Sequence, residues 1–164
     1  MKKLALLLST YNGEKFLSVQ LESLLAQKDV DLTIFVRDDG SSDTTPNVLV
    51  QFAAQHNNIH LRLEKNIGVI ASFFDLITTV DDDFDYYALA DQDDYWLPEK
   101  LISAANKLDQ HSKDKPLLYC SALEFVDKDL VHLGVSNLNF KPSFGNALVE
   151  NIVTGCTAVF NSAL

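Results

Sequence analysis

The sequence predicts an α/β fold, a mostly parallel sheet with helices on both faces, and three observations predict it. Short apolar runs alternate with longer segments whose apolar residues recur at helical spacing. Several runs stop at polar loops of the kind that end a strand: S-T-Y-N after the first, D-D-G-S-S after the second, D-Q-D-D after the fourth. The chain has 164 residues, 47% hydrophobic and 22% charged, an ordinary globular balance with enough apolar side chains for one core.

Lys3–Leu8 is a continuous apolar run, as a strand covered on both faces requires. Ser9 to Gly13 breaks it, and a helix follows over Glu14–Gln27, with Leu17, Leu21 and Leu24 on one face. Leu32–Val36 is the second strand, stopped by Arg37–Asp43. Ser42 or Asp43 caps the next helix, Thr44–Gln55, whose stripe is Val48, Leu49, Phe52 and Ala53. Ile59–Leu63 reads as a third strand, Asn66-Ile67-Gly68 as a turn, and Val69–Thr79 as a helix with Ile70, Phe73, Phe74 and Ile77 inward. Asp81-Asp82-Asp83 reads as a solvated loop. Phe84–Ala90 is the fourth strand; Pro98 suits the first turn of the helix Glu99–Gln110, which turns Leu101, Ala105 and Leu108 to one side. Leu117–Val126 reads as a long strand, Asp127-Lys128-Asp129 as a hairpin turn and Val131–Leu133 as its return. Asn137–Gly145 is loop-like, Ala147–Asn151 a short helix or turn, and Val153–Phe160 a last apolar run. There is no internal repeat, low-complexity tract or linker.

Thirteen Lys and Arg stand against 23 Asp and Glu, a formal charge of −10, which argues against nucleic acid or an anionic membrane as the main partner. An acidic chain that holds a diphosphate needs helix N-termini, loop amides or a metal to do so. Cys120 and Cys156 lack metal spacing and read as reduced, buried thiols. The N-terminal M-K-K-L-A-L-L-L has an apolar core of only Leu4–Leu8, short of the roughly 7–15 residues of a secretory signal, and no run approaches the roughly 18 of a membrane span. His56, His60, His111 and His132 read as unpaired surface residues. Neither a G-x-G-x-x-G nor a G-x-x-x-x-G-K-[ST] phosphate loop is present, and no Ser-His-Asp or Cys-His set assembles.

What remains is acidic. In a parallel sheet, ligands bind at the carboxyl ends of the strands, and the three polar loops open onto that one edge. Asp91 and Asp93 are two apart, so both can face one side at a strand end. Closely packed carboxylates repel, and a hard divalent cation bound through oxygen neutralises them; a solvated acidic turn is the plainer alternative. Carboxylates at Asp38 and Asp39 can accept hydrogen bonds from a base N–H or from ribose hydroxyls. Tyr11 can stack on a base, or simply sit half-buried at a helix start.

The ordered set L-S-T-Y-N-G-E-K-F-L, V-R-D-D-G-S-S-D-T-T, N-I-G and A-D-Q-D-D-Y-W-L-P-E-K-L resembles the family 2 glycosyltransferases, with the bacterial rhamnosyltransferase-like members nearest in spelling. The resemblance spans Lys3 to Leu164 and implies a GT-A (Rossmann-like) fold. It also implies metal-dependent, inverting transfer of a sugar from a nucleotide-diphosphate donor, UDP- or dTDP-linked, to a polysaccharide or lipid-linked glycan acceptor. Ser9, Thr10 and Tyr11 would line the nucleotide pocket, with Tyr11 near the base. Asp39, with Asp38 beside it, would hold base or ribose. Asn66 would lie near the donor. Asp91 and Asp93 would be the D-x-D pair for Mn²⁺ or Mg²⁺, with Asp93 the direct ligand, Asp91 nearer the ribose and Asp94 in support. Gly155-Cys156-Thr157 would back the sugar pocket.

Inverting members take their carboxylate base from a segment after G-C-T, and this sequence stops at Leu164. Glu150 stands in by residue type only. The expectation is therefore one domain over residues 1–164, truncated on its C-terminal side, with the catalytic base unassigned. The competing readings are a donor-binding fragment without catalysis and a metal-dependent nucleotidyltransferase or phosphohydrolase. The expected location is cytoplasmic, peripheral at the inner membrane face if the acceptor is lipid-linked.

Overall fold

A computed structural model of the chain describes residues 1–81, 83–137, 143, 145 and 153–164. β1 (Lys2–Thr10), α1 (Leu17–Leu25), β2 (Val30–Asp38), α2 (Thr45–Gln55), β3 (Ile59–Leu63), α3 (Val69–Thr79), β4 (Tyr86–Ala90) and α4 (Lys100–Leu108) alternate along the chain. β5 (Leu118–Tyr119), β6 (Glu124–Val126), β7 (His132–Val135), a 3-10 turn at Gly155–Thr157 and β8 (Val159–Phe160) follow.

The main sheet has the order β3-β2-β1-β4-β8-β5. β1 pairs in parallel with both β2 and β4, and β2 with β3; β8 runs antiparallel to β4 and β5. The mostly parallel α/β architecture is as expected. Each crossover in the parallel part carries a helix, as parallel neighbours require.

Strand alternation decides which side chains meet which helix. Leu4, Leu6 and Leu8 of β1, Leu32, Ile34 and Val36 of β2, and Tyr86, Ala88 and Ala90 of β4 join one buried cluster. Leu17, Leu21 and Leu24 of α1, Leu49 of α2 and Leu101, Ala104, Ala105 and Leu108 of α4 complete it. The odd-numbered positions face the other way, where Ser72 of α3 meets Ser9 and Arg37. Three helices thus cover one face and α3 covers the other.

This asymmetry corrects the reading of α3. Ser72 and Leu76 are its buried residues, whereas Ile70, Phe74 and Ile77 are exposed, at 73%, 64% and 42%. The helix is apolar nearly all round, so periodicity could not choose the face; the polar Ser72 is drawn in by its hydrogen bonds. Beside α3, a groove of about 240 Å³ opens between Phe35, His60, Leu76 and Val80.

The expected long strand Leu117–Val126 is broken. β5 pairs with β8 in the main sheet, while β6 leaves it to pair with β7. The hairpin is as expected: the Asp127 carboxylate accepts from the N–H groups of Asp129 and Val131, at 2.9 and 3.0 Å. The run expected as Val153–Phe160 is a 3-10 turn followed by a two-residue strand. Three of the four histidines have partners: His60 stacks on Phe35, His56 on Phe52, and His132 bonds Glu124. Both cysteines are free, Cys156 buried and Cys120 half-buried. No helix among the described residues is long and apolar enough to cross a membrane. Asp82, Ala147–Asn151 with Glu150, and most of Asn137–Gly145 lie outside the described residues.

Leu76→Ala should cost about 2–5 kcal/mol by leaving a cavity, whereas Phe74→Ser should stay within about 0.5 kcal/mol. Urea denaturation of the two variants checks this; a larger loss in Phe74→Ser than in Leu76→Ala would place Phe74, not Leu76, in the core.

Candidate functional site

Every polar side chain at the carboxyl edge is placed by the same alternation. β1 and β2 run in register, Ser9 beside Arg37 and Thr10 beside Asp38. The odd pair faces α3. Ser9 Oγ lies 2.6 Å from Ser72 Oγ. Arg37, 4% exposed, forms an ion pair with Asp39 and donates to Ser72 Oγ at 3.2 Å and to the Lys65 carbonyl at 3.0 Å. Its Nε lies 3.2 Å from Asp75 Oδ2, which also pairs with Arg62.

Asp39, 2% exposed, also accepts from the N–H groups of Ile67 and Gly68, at 2.9 Å each. These are free donors at the entry to α3, where an anion is doubly favoured. Burial alone would raise the Asp39 pKa, but the two backbone N–H groups and the Arg37 guanidinium outweigh it and hold the carboxyl below its ordinary range. Gly40 follows with φ +78, and a Cβ there would lie 2.8 Å from the Asn66 amide nitrogen. Only glycine fits that turn.

The even pair faces the other way. Asp38 accepts from Thr10 Oγ1 at 3.0 Å, from Ser41 N–H at 2.9 Å and from Ser41 Oγ at 2.5 Å. The loop after β1 is then laced to the loop after β2. Asn12 N–H donates to Ser41 Oγ and Gly13 N–H to Thr45 Oγ1, while Asn12 Oδ1 accepts from Ser42 N–H. The Glu14 carboxylate takes the N–H and hydroxyl of Thr44. The expected cap is present in altered form: Asp43 accepts from Thr45 N–H at 2.9 Å, although α2 begins from Thr44.

The loop after β4 is held from both sides. The Gln92 amide bonds the backbone of Tyr11. Trp96, 2% exposed, donates its backbone N–H to Ser23 Oγ, and the Gln27 amide bridges the Leu97 carbonyl and Leu101 N–H. Between these anchors lie the acids. Carboxylate oxygens of Asp91 and Asp94 and the Cys156 sulfur all fall within 4.8 Å of one another. Asp93 is exposed and outside that group. β4 ends at Ala90, so residues 91–94 form a turn rather than a strand, and a turn brings its first and fourth residues together. The pair expected from strand alternation was Asp91 and Asp93; the pair brought together is Asp91 and Asp94.

Burial, then the charges of Asp94 and Asp93, push the Asp91 carboxyl above its ordinary range. Burial does the same to Asp94, with Cys156 opposing and Asp93 adding to it. Burial and both carboxylates push the Cys156 thiol up, so it stays protonated at neutral pH and is a hydrogen donor, not a thiolate. Asp94 Oδ2 is buried with no hydrogen-bond partner among the described residues. An oxygen pair with a spare buried acceptor suits a hard divalent cation.

Lys100, at the start of α4, is the cation that sequence reading missed. Its Nζ donates to the Cys156 carbonyl at 2.5 Å and lies 3.8 Å from the Trp96 ring centroid. Burial pulls its pKa down, while Cys156, Asp94 and Asp91 oppose that.

Of the residues expected to touch a nucleotide, then, Tyr11 (50% exposed), Asn66 and Asp91 face the edge, while Thr10, Asp38 and Asp39 are buried at 1%, 2% and 2% with their polar atoms engaged. Arg37 was missed because one charge before D-D reads as the end of a strand.

The sequence profile described as Glycosyl transferase family 2 matches residues 6–154. Over 105 residues the chain is 39% identical to the dTDP-rhamnosyl transferase RfbG of Shigella flexneri, covering 62% of this chain and 36% of that protein. TarS of S. aureus, solved in complex with UDP, superposes with TM-score 0.59 at 26% identity over 66% of this chain and 32% of that one. A further TarS structure gives TM-score 0.64 at 21% identity over 98% of this chain and 47% of its own length, a likeness of fold. The chain spans about a third of the length of the curated relatives it matches.

Asp39→Asn leaves the Arg37 guanidinium buried and under-neutralised, and should cost about 3–5 kcal/mol in denaturant unfolding. Because the folded carboxyl is held low, its stabilisation is present above the unfolded value of about 3.9 and is lost as pH falls through the folded value. Stability of the wild-type chain should therefore fall more steeply below about pH 4 than that of the variant; parallel curves would deny Asp39 this role.

Proposed function

The chain belongs to Glycosyl transferase family 2, and on that premise we propose that it forms the donor-binding part of an enzyme moving a sugar from a nucleoside diphosphate to an acceptor hydroxyl. The observation that carries this reading is the Asp91–Asp94–Cys156 cluster, set next to the exposed Tyr11 at the carboxyl edge of the sheet. The dTDP-rhamnosyl transferase description of one relative and the UDP bound to another support dTDP or UDP as the nucleotide.

On this reading Tyr11 lies against the base, and Asp38 and Asp39 act through the loops they hold rather than through free oxygens. Asn66 borders the donor. Asp91 and Asp94 hold Mn²⁺ or Mg²⁺, with the exposed Asp93 adding charge at the rim. When bound, the cation acts as a Lewis acid that neutralises the departing diphosphate. Lys100 lends a second positive charge at the same end of the site, fixed by the Cys156 carbonyl and the Trp96 ring. The 3-10 turn carrying Cys156 backs the sugar. The acceptor oxygen attacks the anomeric carbon opposite the leaving diphosphate, which inverts that centre. Its proton passes to a base that none of the described residues supplies. A glycan or lipid-linked glycan is the acceptor this reading favours.

Calorimetric titration of UDP and dTDP, with Mn²⁺ and then with EDTA, tests it. Binding should need Mn²⁺ and weaken at least about tenfold in Asp94→Asn, the scale of one lost charged ligand, and less in Asp93→Ala. Absence of binding to folded protein would sink the donor site. Loss confined to Asp93→Ala would move the cation to Asp93.

A further inference from the structure

Gln92 lies between the acids of the candidate metal site, yet its side chain turns away to the first loop. Tyr11 N–H donates to Gln92 Oε1 at 2.8 Å, and Gln92 Nε2 donates to the Tyr11 carbonyl at 3.0 Å. One side-chain amide thus takes both backbone groups of one residue, as a neighbouring strand would. Asp and Glu cannot donate, Asn is one methylene shorter, and an apolar side chain makes neither bond.

A second observation comes from Gly13. A Cβ there would meet Gln92 Oε1 at 2.4 Å and Cδ at 2.7 Å. The far end of a glutamine would normally swing aside, but this one is pinned by its two bonds to Tyr11. Gly13 therefore keeps open the space that the Gln92 amide fills. Gly13 is itself fixed from below, its N–H donating to Thr45 Oγ1 at 2.8 Å. The Tyr11 loop cannot move toward the second loop without straining Asn12 and Gly13, nor away from it without breaking the Gln92 bonds.

We propose that Gln92 is a positioning residue that couples the Tyr11 loop to the Asp91–Asp94 turn, so that recognition of the base and of the cation-bound diphosphate form one event. The proposal rests on the donor-site reading above and extends it: the base contact and the cation site are linked through the protein as well as through the ligand. A cation settling on Asp91 and Asp94 shifts the turn that carries Gln92, and Gln92 passes that shift to the Tyr11 main chain. Cation binding then prepares the base contact before any nucleotide arrives.

Backbone-amide NMR with Mg²⁺ alone as the probe separates this proposal from the reading beneath it. In the wild-type chain, Mg²⁺ should shift the amides of residues 91–94 and also that of Tyr11. In Gln92→Met, which keeps the side-chain length and volume but makes neither bond, the first response should persist and the Tyr11 response should vanish. If residues 91–94 respond but Tyr11 does not, or if Tyr11 still responds in Gln92→Met, the coupling is wrong and the donor site stands. If residues 91–94 do not respond, the cation site itself falls and takes the coupling with it. UDP titration in Mn²⁺ gives an independent check. Gly13→Ala and Gln92→Ala should each weaken UDP by roughly tenfold, the scale of one or two hydrogen bonds, and the double variant should be no worse than Gln92→Ala alone. Additive losses would overturn the shared mechanism.

Discussion

A buried guanidinium organises the carboxyl edge of this fold. Arg37 sits near the end of β2, almost wholly out of water, which is tolerable only if its charge is met. Asp39 meets the charge, two residues on and on the same side of the chain. That carboxylate then has lone pairs to spare, and they collect the free N–H groups at the start of α3. The turn before α3 is thereby fixed to the end of β2, and Gly40 lets the two backbones approach. Removing either ion would release a strand end, a turn and a helix start together. The charge chain continues through Asp75 to Arg62, so signs alternate outward from the buried centre.

Around that centre the three loops are tied in a definite order. Hydroxyls and short acids lace the first loop to the second; a single glutamine ties the first to the third; α1 grips the third from behind through Ser23 and Gln27. Among the described residues, one oxygen of Asp94 is buried without a hydrogen-bond partner, while Tyr11 and Asp93 stand exposed at the rim. A site that spends most of its polar atoms on its own scaffold is preorganised, and what it leaves free defines what it can meet. Lys100 keeps this acid-rich turn from being uniformly negative.

Much of this was legible in the sequence. The alternation of apolar runs and helical stripes located β1 to β4 and α1 to α4, because burial on a parallel sheet leaves a strong signal. The ordered loop motifs located the edge. What was not legible depended on local geometry or on distance along the chain. Asp91 and Asp93 share a side only if the strand continues, and it ends at Ala90, so the turn brings Asp94 close to Asp91 instead. In α3, apolar residues on every side concealed which face was buried until Ser72 found Ser9 and Arg37. The long strand after Leu117 has uniform β character, and nothing in its residues marks the point where it changes sheets. Gln92 reads as a spacer between acids, since its partner is 81 residues away.

That separation has a kinetic consequence. β1 meets β2 across a short crossover, and the Arg37–Asp39 centre needs nothing beyond α3, so this half can condense from neighbouring segments. The Gln92–Tyr11 contact closes one of the longest loops in the chain, and loop closure is paid before the contact rewards it. The β1–β4 pairing closes a loop of the same length, so β4 and the working edge it carries join the sheet after the β1–β2–β3 half has condensed.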